Sequence, residues 1–419
     1  MSETFRTAHA DDVPALARLI KHSFPGPTRT PEWLRARIET PVFGGGPETA
    51  WMAEQDGRPV AVCQLHPLAQ WIAGVRFACM GLGTVAISPA HRRRGLAGRL
   101  VASALRHARE RGDTVSALYP FRIRFYERLG YGLAGEALQY RFAPELLPDA
   151  PERAGIRLVE TESQRAEVRA LYEAWVRAQS GQVERTDAMW RDGFWEVDDT
   201  AVVLYRAPDG RAEGYARARY RTDLPPAERF LEIEERVWLS RAAQRAIYAW
   251  IASLGDQWQS VLYRAHPAEG FENYLRETRM PLGSAPQWGL WFGAATLMRG
   301  PMFRLLDVPA AWPARPVNDT GTPLVLRLEV SDREIPENDG PWRMRIADGR
   351  VEVEPWRGEG SAADATLALP VSTLSRLFVG DLAPSMAVAA GHASIDHDAA
   401  LPSLDAVLRL PKPWTFERF

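Results

Sequence analysis

The chain has 419 residues, of which 46% are hydrophobic and 25% charged, and its formal net charge at pH 7 is −2. This length predicts several domains, because a domain usually spans about 100–200 residues. The nearly neutral balance gives no reason to expect nucleic acid or an anionic membrane as a partner.

The first residues do not show the basic and then apolar pattern of a signal peptide, and no apolar run is long enough to span a bilayer. We therefore expect a cytoplasmic protein. Cys63 and Cys79 lie in strand-like stretches and are predicted to be buried free thiols rather than a disulfide or a metal pair. The histidines are scattered without metal-ligand spacing, so no metal is expected.

Residues 1–150 predict a mixed unit of helices and strands. The Asp56-Gly57 pair between two strand-like runs indicates a hairpin. The predicted strands lie near 5–8, 51–54, 60–65, 75–80, 83–87, 115–118 and 138–141. A first helix is predicted to begin near Asp12, and three more are predicted at 31–38, 96–111 and 126–129.

After a proline-rich linker at 144–151, residues 151–300 repeat this order of elements, which favours a duplicated fold. The repeat has a strand at 156–159, a helix at 165–179, a hairpin around Asp209-Gly210, a strand at 230–238 and a helix at 241–254. Residues 301–419 add an alternating strand at 324–330, a hairpin around Gly349, a strand at 367–369 and helices at 371–379 and 399–408. An aromatic tail ends at Phe419.

A basic loop between a strand and a helix is the most informative stretch. The strand ends at Ile87, three arginines follow at 92–94, and the helix begins at Gly95. Backbone N–H groups and the helix dipole at such a turn favour an anion, and small residues leave room for it. The loop therefore predicts a diphosphate site, with a solvated basic turn as the alternative. It lacks both the Gly-Lys-Ser/Thr of a P-loop and the three spaced glycines of a dinucleotide site.

The same order continues into Phe125-Tyr126-Glu127-Arg128-Leu129-Gly130-Tyr131. With the arginine-rich loop, it resembles the GNAT family of N-acetyltransferases, and the whole chain is similar to the Eis (enhanced intracellular survival) group of that family. The resemblance implies an α+β fold class: tandem GNAT folds, the second degenerate, followed by a sterol-carrier-protein-like α+β domain. The implied domains are 1–150, 151–300 and 301–419, the last supplying the C-terminal carboxylate.

The resemblance also implies an active site. Tyr126 would be the general acid that protonates the departing CoA thiolate, and the C-terminal carboxylate of Phe419 the general base. The backbone of the strand before the loop would pair with the pantetheine arm of acetyl-CoA. The implied cofactor-binding residues are Val85, Ala86, Ile87, Arg92, Arg93, Arg94, Gly95, Leu96, Ala97, Gly98, Phe121 and Arg122.

Each of these roles has an alternative based on packing alone. Tyr126 is alternatively a packed aromatic residue, and the tail aromatics alternatively only anchor the chain end. Arg418 beside the proposed base would repel a polycation if it faced the pocket, and Glu417 would offset it. Phe24 and Trp33 are candidates to line an acceptor pocket, with core packing as the alternative for Trp33.

The second unit is predicted not to catalyse. Its counterpart of the loop, residues 239–244, has no glycine and one arginine. The preceding strand carries Glu232, Glu234 and Glu235, which would repel a diphosphate. We expect these carboxylates on a solvated strand face, and the alternative is that they line a cleft for a cationic substrate.

The predicted function is transfer of an acetyl group from acetyl-CoA to a primary amine of a polycationic small molecule, at one or several positions. The resemblance implies aminoglycosides as the substrate class and a homo-oligomer, a hexamer. Two alternatives stay open: acetylation of lysine side chains on proteins, and a non-catalytic lipid- or sterol-binding module.

Overall fold

The computed structural model describes residues 3–26, 29–279, 292–358 and 363–419. The elements up to residue 135 are β1 (Thr4–Thr7), α1 (Val13–Ser23), α2 (Pro31–Glu39), β2 (Ala50–Gln55), β3 (Arg58–Ile72), β4 (Val75–Ile87), α3 (Leu96–Glu110), β5 (Val115–Leu118), α4 (Ile123–Glu127) and β6 (Gly132–Leu133). Cys63 and Cys79 are buried free thiols, as predicted.

The middle of the chain repeats this order, as predicted. Its elements are β7 (Glu136–Phe142), β8 (Ile156–Leu158), α5 (Glu162–Val176), β9 (Thr200–Arg206), β10 (Ala212–Tyr220), β11 (Leu231–Trp238), α6 (Arg241–Ala252), β12 (Val261–Ala265) and β13 (Thr296–Arg299).

The last part begins with a strand and ends in the aromatic tail. Its elements are β14 (Met302–Leu305), α7 (Val308–Ala314), β15 (Leu324–Ser331), β16 (Trp342–Ala347), β17 (Arg350–Pro355), β18 (Ala365–Pro370), α8 (Val371–Phe378), α9 (Pro384–Ala389), β19 (Ser394–Ile395) and α10 (Leu401–Leu408).

Asp-Gly pairs form two of the tight hairpins. Asp56 and Gly57 have φ of 51° and 71°, and Asp348 and Gly349 have 52° and 70°. Positive φ at both central residues is what a two-residue hairpin turn with the twist of its strands requires, and aspartate and glycine adopt it at low cost. The hairpins predicted around Gly57 and Gly349 are therefore confirmed.

The strands form three sheets, in the orders β1-β2-β3-β4-β5-β14-β6, β13-β7-β12-β11-β10-β9-β8 and β17-β16-β15-β18-β19. The strand predicted at 138–141 exists as β7, but it pairs with β12 and β13 in the second sheet. The prediction that it completes the α+β unit of residues 1–150 was wrong. β14 instead lies there, between β5 and β6.

By packing, the chain divides into two compact units. The first comprises Met1–Gly135, Ser180–Trp195 and Gly300–Phe419, and the second comprises Glu136–Gln179 and Glu196–Arg299. The units are thus discontinuous in sequence, whereas the three predicted domain ranges are contiguous and stay a prediction. In the described part of the chain, no helix is both long and apolar enough to cross a membrane.

Candidate active site

The first sheet opens between β4 and β5. The two strands pair in parallel over three positions, from Cys79 opposite Val115 to Gly81 opposite Ala117. β4 continues to Ile87 and stays paired with β3, with a shift of register in which Thr84 takes a φ of 49°. Such a bulge bends a strand away from its neighbour. The end of β4 is therefore left without β5 as a partner, at the place where the pantetheine contacts are predicted.

The basic loop turns into α3 through residues with positive φ. Arg93 has φ of 59°, and Gly95, the residue before the first turn, has φ of 75° and ψ of −1°. No side chain caps the N-terminus of α3. Because the first N–H groups of a helix have no partner within it, those of Ala97 and Gly98 are available to an anion. The backbone geometry therefore fits the predicted diphosphate site.

The side chains of the loop differ in exposure. Arg92, Arg93 and Arg94 are all exposed, whereas Leu96 is buried in the core, so that only its backbone can contact a cofactor. Nε of Arg92 donates to the carbonyl oxygen of Ile87 over 3.3 Å. That contact uses one acceptor position of a carbonyl that we predicted to pair with pantetheine.

A second side chain, on α3, holds the basic loop by a hydrogen bond. The Arg99 guanidinium donates to the carbonyl oxygen of Arg94 over 3.0 Å and forms a two-pronged ion pair with Glu3, at 2.7 and 2.9 Å. Arg99 thus ties the loop to the start of β1. This contact involves a residue that the sequence analysis did not single out.

Tyr126 lies in α4, and its side chain is buried among aromatic rings. The centroids of Phe125, Phe121 and Tyr131 lie 4.9, 5.5 and 5.9 Å from its own. Burial, with a smaller contribution from Cys63, raises the pKa of the Tyr126 hydroxyl. The hydroxyl therefore stays protonated at any physiological pH, as a proton donor must.

The two cofactor residues predicted before Tyr126 line the approach to it. Phe121 has 66% of its surface exposed although its ring contacts those of Phe125 and Tyr126. Arg122 is exposed and directly precedes α4. An exposed ring next to a buried tyrosine is consistent with a contact to the distal part of the cofactor.

The C-terminal tail is held by the segment Ser180–Trp195 of the same compact unit. The backbone N–H of Trp414 donates to the carbonyl oxygen of Ser180 over 3.0 Å, and that of Phe416 to the Gln182 side chain over 3.2 Å. The Arg185 guanidinium, itself almost fully buried, pairs with Glu417 at 2.6 Å. These contacts fix a chain end that would otherwise fray.

Phe419 ends this tail beside the opening in the sheet. Its ring contacts those of Tyr119 and Phe43, with centroids 5.6 and 6.2 Å away. A Cβ placed on Gly83 of β4 would lie 3.7 Å from the carboxyl carbon of Phe419. The loop after β5 spans both catalytic candidates, because Tyr119 contacts Phe419 and Phe121 contacts Tyr126.

Four further residues from the sequence analysis flank the proposed base or were candidates for the acceptor pocket. Arg418 is exposed, and Glu417 pairs with Arg185. Trp33 is 44% exposed, which rules out core packing, and the Arg37 guanidinium lies over its ring at 5.2 Å. Phe24 is only partly buried.

Sequence reasoning missed the residues that surround the C-terminal carboxylate, chiefly Phe43, His66 and Gly83. They belong to a loop and to two strands whose patterns indicate only burial. Their proximity to Phe419 spans most of the chain, so no local signal identifies them.

The second GNAT-like fold has the same opening, but protein groups occupy it. β11 pairs with β12 only up to Ile233, and β11 carries a comparable register shift. Arg236 of β11 is buried and pairs with Glu269 at 2.6 Å, and the hydroxyls of Tyr248 and Tyr263 also donate to Glu269. A cofactor arm would have to displace this network.

The helix that would bind a diphosphate in the second fold is also capped by its own chain. The Ser240 hydroxyl accepts from the N–H of Ala243 over 3.1 Å and donates to Glu213 over 2.6 Å. This cap occupies the anion position at the start of α6. The cap supports the predicted degeneracy of the second fold, which stays a prediction.

The acidic residues of β11 were expected on a solvated face, and that was wrong. Glu232 is buried and pairs with Arg264 at 2.7 Å and Arg221 at 3.2 Å, because an ionised carboxylate leaves water only with partners. Glu234 pairs with Arg217 at 3.4 Å. The alternative, a cleft for a cationic substrate, is not supported for Glu232 and Glu234, because arginines already pair with both; Glu235 is buried and accepts from the Tyr215 hydroxyl.

Within the described ranges, no group of three or more histidine, cysteine, aspartate or glutamate side chains is arranged to hold a metal ion.

Models of known families match three stretches of the chain. Two are models of an acetyltransferase (GNAT) domain, which match residues 4–134 and 181–305, and the third is a sterol carrier protein domain, which matches 308–416. The chain therefore belongs to the GNAT family of N-acetyltransferases and carries two GNAT domains followed by a sterol-carrier-like domain. It is an enzyme that transfers acetyl groups.

Its relatives place it in the Eis-like group. It is 29% identical to N-acetyltransferase Eis of Mycobacterium tuberculosis over 351 residues, which are 80% of this chain and 78% of that protein. It is 26% identical to an N-acetyltransferase of Streptomyces avermitilis, over 88% of this chain and 87% of the other.

Solved structures share the fold from end to end. A GCN5-related N-acetyltransferase from Anabaena variabilis superposes with a TM-score of 0.83 at 21% identity and covers 100% of both chains. Eis1 from Mycobacterium abscessus gives 0.78 at 21% identity, again over 100% of both chains.

Proposed function

We propose that this enzyme acetylates a primary amine of a polycationic small molecule of the aminoglycoside type, with acetyl-CoA as the donor, at one or several amines. The observation that carries the proposal is the anchored tail, which ends with the Phe419 carboxylate beside the opening of the first sheet. On the other side of the loop after β5 lies Tyr126.

Donor binding is proposed for the loop and the adjoining strand. The N–H groups at the start of α3 and the guanidinium groups of Arg92, Arg93 and Arg94 would bind the diphosphate, with charge-assisted hydrogen bonds. Val85 and Ile87 would pair with the pantetheine arm as an added strand does. This fits a β4 end that β5 does not cover.

The chemistry assigns one proton to each end of the site. The amine attacks the thioester carbonyl, a C–N bond forms and the C–S bond breaks. The Phe419 carboxylate takes the proton from the nitrogen, and the Tyr126 hydroxyl gives its proton to the thiolate. A free thiol has a pKa of about 8.5 and tyrosine about 10. Burial raises the pKa of the Tyr126 hydroxyl further, so the transfer depends on a direct hydrogen bond from this hydroxyl to the departing sulfur.

Aromatic surface for a cationic acceptor is available near the start of the chain, where Trp33 is 44% exposed. The guanidinium of Arg37 lies over this ring at 5.2 Å, so an acceptor ammonium group would have to displace it to make the same cation–π contact. A cytoplasmic homo-oligomer, a hexamer by the resemblance, completes the proposal, and analytical ultracentrifugation measures its stoichiometry.

The test is thiol release from acetyl-CoA across a panel of amines. The panel contains aminoglycosides, linear polyamines, mono-amines and lysine peptides, and mass spectrometry counts the acetyl groups added. We expect release with the multi-amine compounds. Release only with lysine peptides would overturn the small-molecule assignment. No release with any amine, together with lipid co-purifying with the protein, would favour the lipid-carrier alternative.

A further inference from the structure

His66 of β3 is a buried histidine to which the acetyl-transfer mechanism above gives no role. Only 5% of its surface is exposed, and β3 places it opposite Gly81 of β4. Nδ1 is buried without a hydrogen-bond partner in the described part of the chain. Buried polar atoms in native proteins are nearly always paired, and an unpaired N–H is rarer than an unpaired lone pair, so Nδ1 bears on which ring nitrogen carries the hydrogen.

The other ring nitrogen faces the proposed base. A Cβ placed on Gly83 would lie 2.9 Å from Nε2 of His66 and 3.7 Å from the carboxyl carbon of Phe419. Nε2 and the carboxylate therefore border the same small space, which exists because residue 83 has no side chain. The φ of Gly83 does not fall in the left-handed region, so the backbone itself does not demand glycine there.

An aromatic ring holds both groups in place. The Phe43 centroid lies 4.7 Å from that of His66 and 6.2 Å from that of Phe419. The imidazole is thus fixed by packing on one side and by β3 on the other. A group whose orientation is fixed can direct a neighbour without losing further side-chain entropy.

The imidazole is neutral at working pH. Burial, and to a lesser extent the nearby Arg37 guanidinium, lowers the pKa of His66 to about 4. A neutral imidazole carries one N–H and one lone pair. Since leaving a buried lone pair unmet is less rare than leaving a buried N–H unmet, we assign the hydrogen to Nε2 and the lone pair to Nδ1.

We propose that His66 is a positioning residue for acetyl transfer: its Nε2–H, acting through one water over Gly83, orients the Phe419 carboxylate toward the acceptor amine. This inference rests on the proposed function of the carboxylate. The proton of the amine goes to the carboxylate, and His66 keeps its own. A water suits the site because a donor and an anionic acceptor face it from two sides.

Other charged and titratable groups surround the carboxylate and bear on its pKa. The charge of Arg37 on α2 acts on His66, the Tyr119 hydroxyl donates to the backbone carbonyl of Glu417, and Arg185 pairs with the Glu417 side chain. Arg418 precedes the carboxylate and is exposed. Removing the His66 donor while these groups stay would raise the pKa of the carboxylate, because a donor stabilises its ionised form.

The test compares two replacements of His66 with a change at Gly83. His66→Gln keeps an N–H near the position of Nε2, His66→Leu removes it, and Gly83→Ala fills the shared space. We expect His66→Leu and Gly83→Ala to lower kcat about tenfold to a hundredfold, with the KM for acetyl-CoA unchanged. His66→Gln should recover kcat to within about threefold of the parent. The acid limb of the kcat profile should move up by about one pH unit in His66→Leu.

The control is His107, a half-buried histidine on α3 whose ring stacks on Trp51 at 4.3 Å. His107→Leu should leave kcat and its pH profile unchanged. If His66→Leu and Gly83→Ala both keep the parental kcat and acid limb, the inference is wrong while the proposed function stands. If the parent releases no thiol with any amine, the proposed function itself fails. If His66→Leu does not fold, the kcat values of Gly83→Ala and His66→Gln test the inference: it is wrong if Gly83→Ala keeps the parental kcat.

Discussion

At the scale of single residues, the candidate site separates the two proton transfers. Tyr126 is enclosed by rings that keep its hydroxyl neutral, whereas the carboxylate of Phe419 stands at the end of an anchored tail. Burial raises the pKa of the Tyr126 hydroxyl, so it can stay a proton donor at a pH at which a carboxylate is ionised.

Replacing Tyr126 with Phe tests the acid. Turnover should fall by about 10²–10⁴-fold, the usual contribution of general acid catalysis, while the affinity for acetyl-CoA stays. Because burial raises the Tyr126 pKa, the alkaline limb of the parental pH profile should not report tyrosine ionisation below pH 10. Kinetics and calorimetric titration with acetyl-CoA measure the two effects. Phe125→Leu, which removes a neighbouring ring but not the hydroxyl, is the control. Unchanged turnover in Tyr126→Phe would remove this residue from the mechanism.

Adding one glycine after Phe419 tests the base. The extra residue moves the terminal carboxylate by about 3.8 Å, so kcat should fall by about 10²-fold or more. Phe419→Leu keeps the carboxylate at the same chain position, loses only ring contacts, and should be affected less. Full activity with the extended tail, measured by thiol release, would disprove the carboxylate as the base.

At the scale of elements, the same strand–loop–helix unit occurs twice with opposite outcomes. α3 begins after a glycine in the left-handed region and has no side-chain cap, whereas α6 begins with a serine cap. A helix end binds an external anion only when its own chain leaves the first N–H groups unpaired. One residue at each N-terminus therefore decides whether the first N–H groups of the helix are left open to an anion or are capped by the chain itself.

Two glycines of α3 give a matched pair of variants. Gly95→Ala should destabilise the fold by about 1–2 kcal/mol, since φ of 75° is unfavourable for alanine. Gly98→Ala should not, because it is helical and a Cβ there meets no atom within 4 Å. Both should weaken acetyl-CoA binding, because the added methyl group takes up space beside the first N–H groups of the helix, and Gly98→Ala should do so by about tenfold. Thermal denaturation and calorimetric titration separate these effects. Parental affinity in Gly98→Ala would contradict the proposed diphosphate site.

At the scale of the molecule, one buried ion pair joins distant parts of the first compact unit. Arg304 of β14 pairs with Asp332, beyond β15, at 2.6 Å, and both are fully buried. Nε of Arg304 also donates to the carbonyl oxygen of Leu129 over 2.7 Å, just past the helix that carries Tyr126. The insertion of β14 between β5 and β6 thereby links the sterol-carrier-like part to the helix that carries Tyr126.

Asp332→Ala should therefore cost about 3–5 kcal/mol of the free energy of unfolding, because it leaves Arg304 buried without its counter-charge. Glu354→Gln, which breaks the exposed pair between Arg343 and Glu354 at 3.0 Å, should cost less than about 1 kcal/mol. Urea denaturation followed by circular dichroism gives both values. Equal costs for the two variants would contradict a structural role for the buried pair.

Local chemistry in the sequence was sufficient to predict the hairpins, α3 and its loop, and the difference between that loop and residues 239–244. Asp-Gly turns, a glycine before a helix and the absence of one at 239–244 act through neighbouring backbone atoms, so neighbouring residues reveal them. Tertiary structure decided which sheet receives β7 and β14, because alternating strands carry no label for their partner. It also decided that His66, Gly83 and Phe419 meet, since contacts between such distant residues arise only when the whole chain packs.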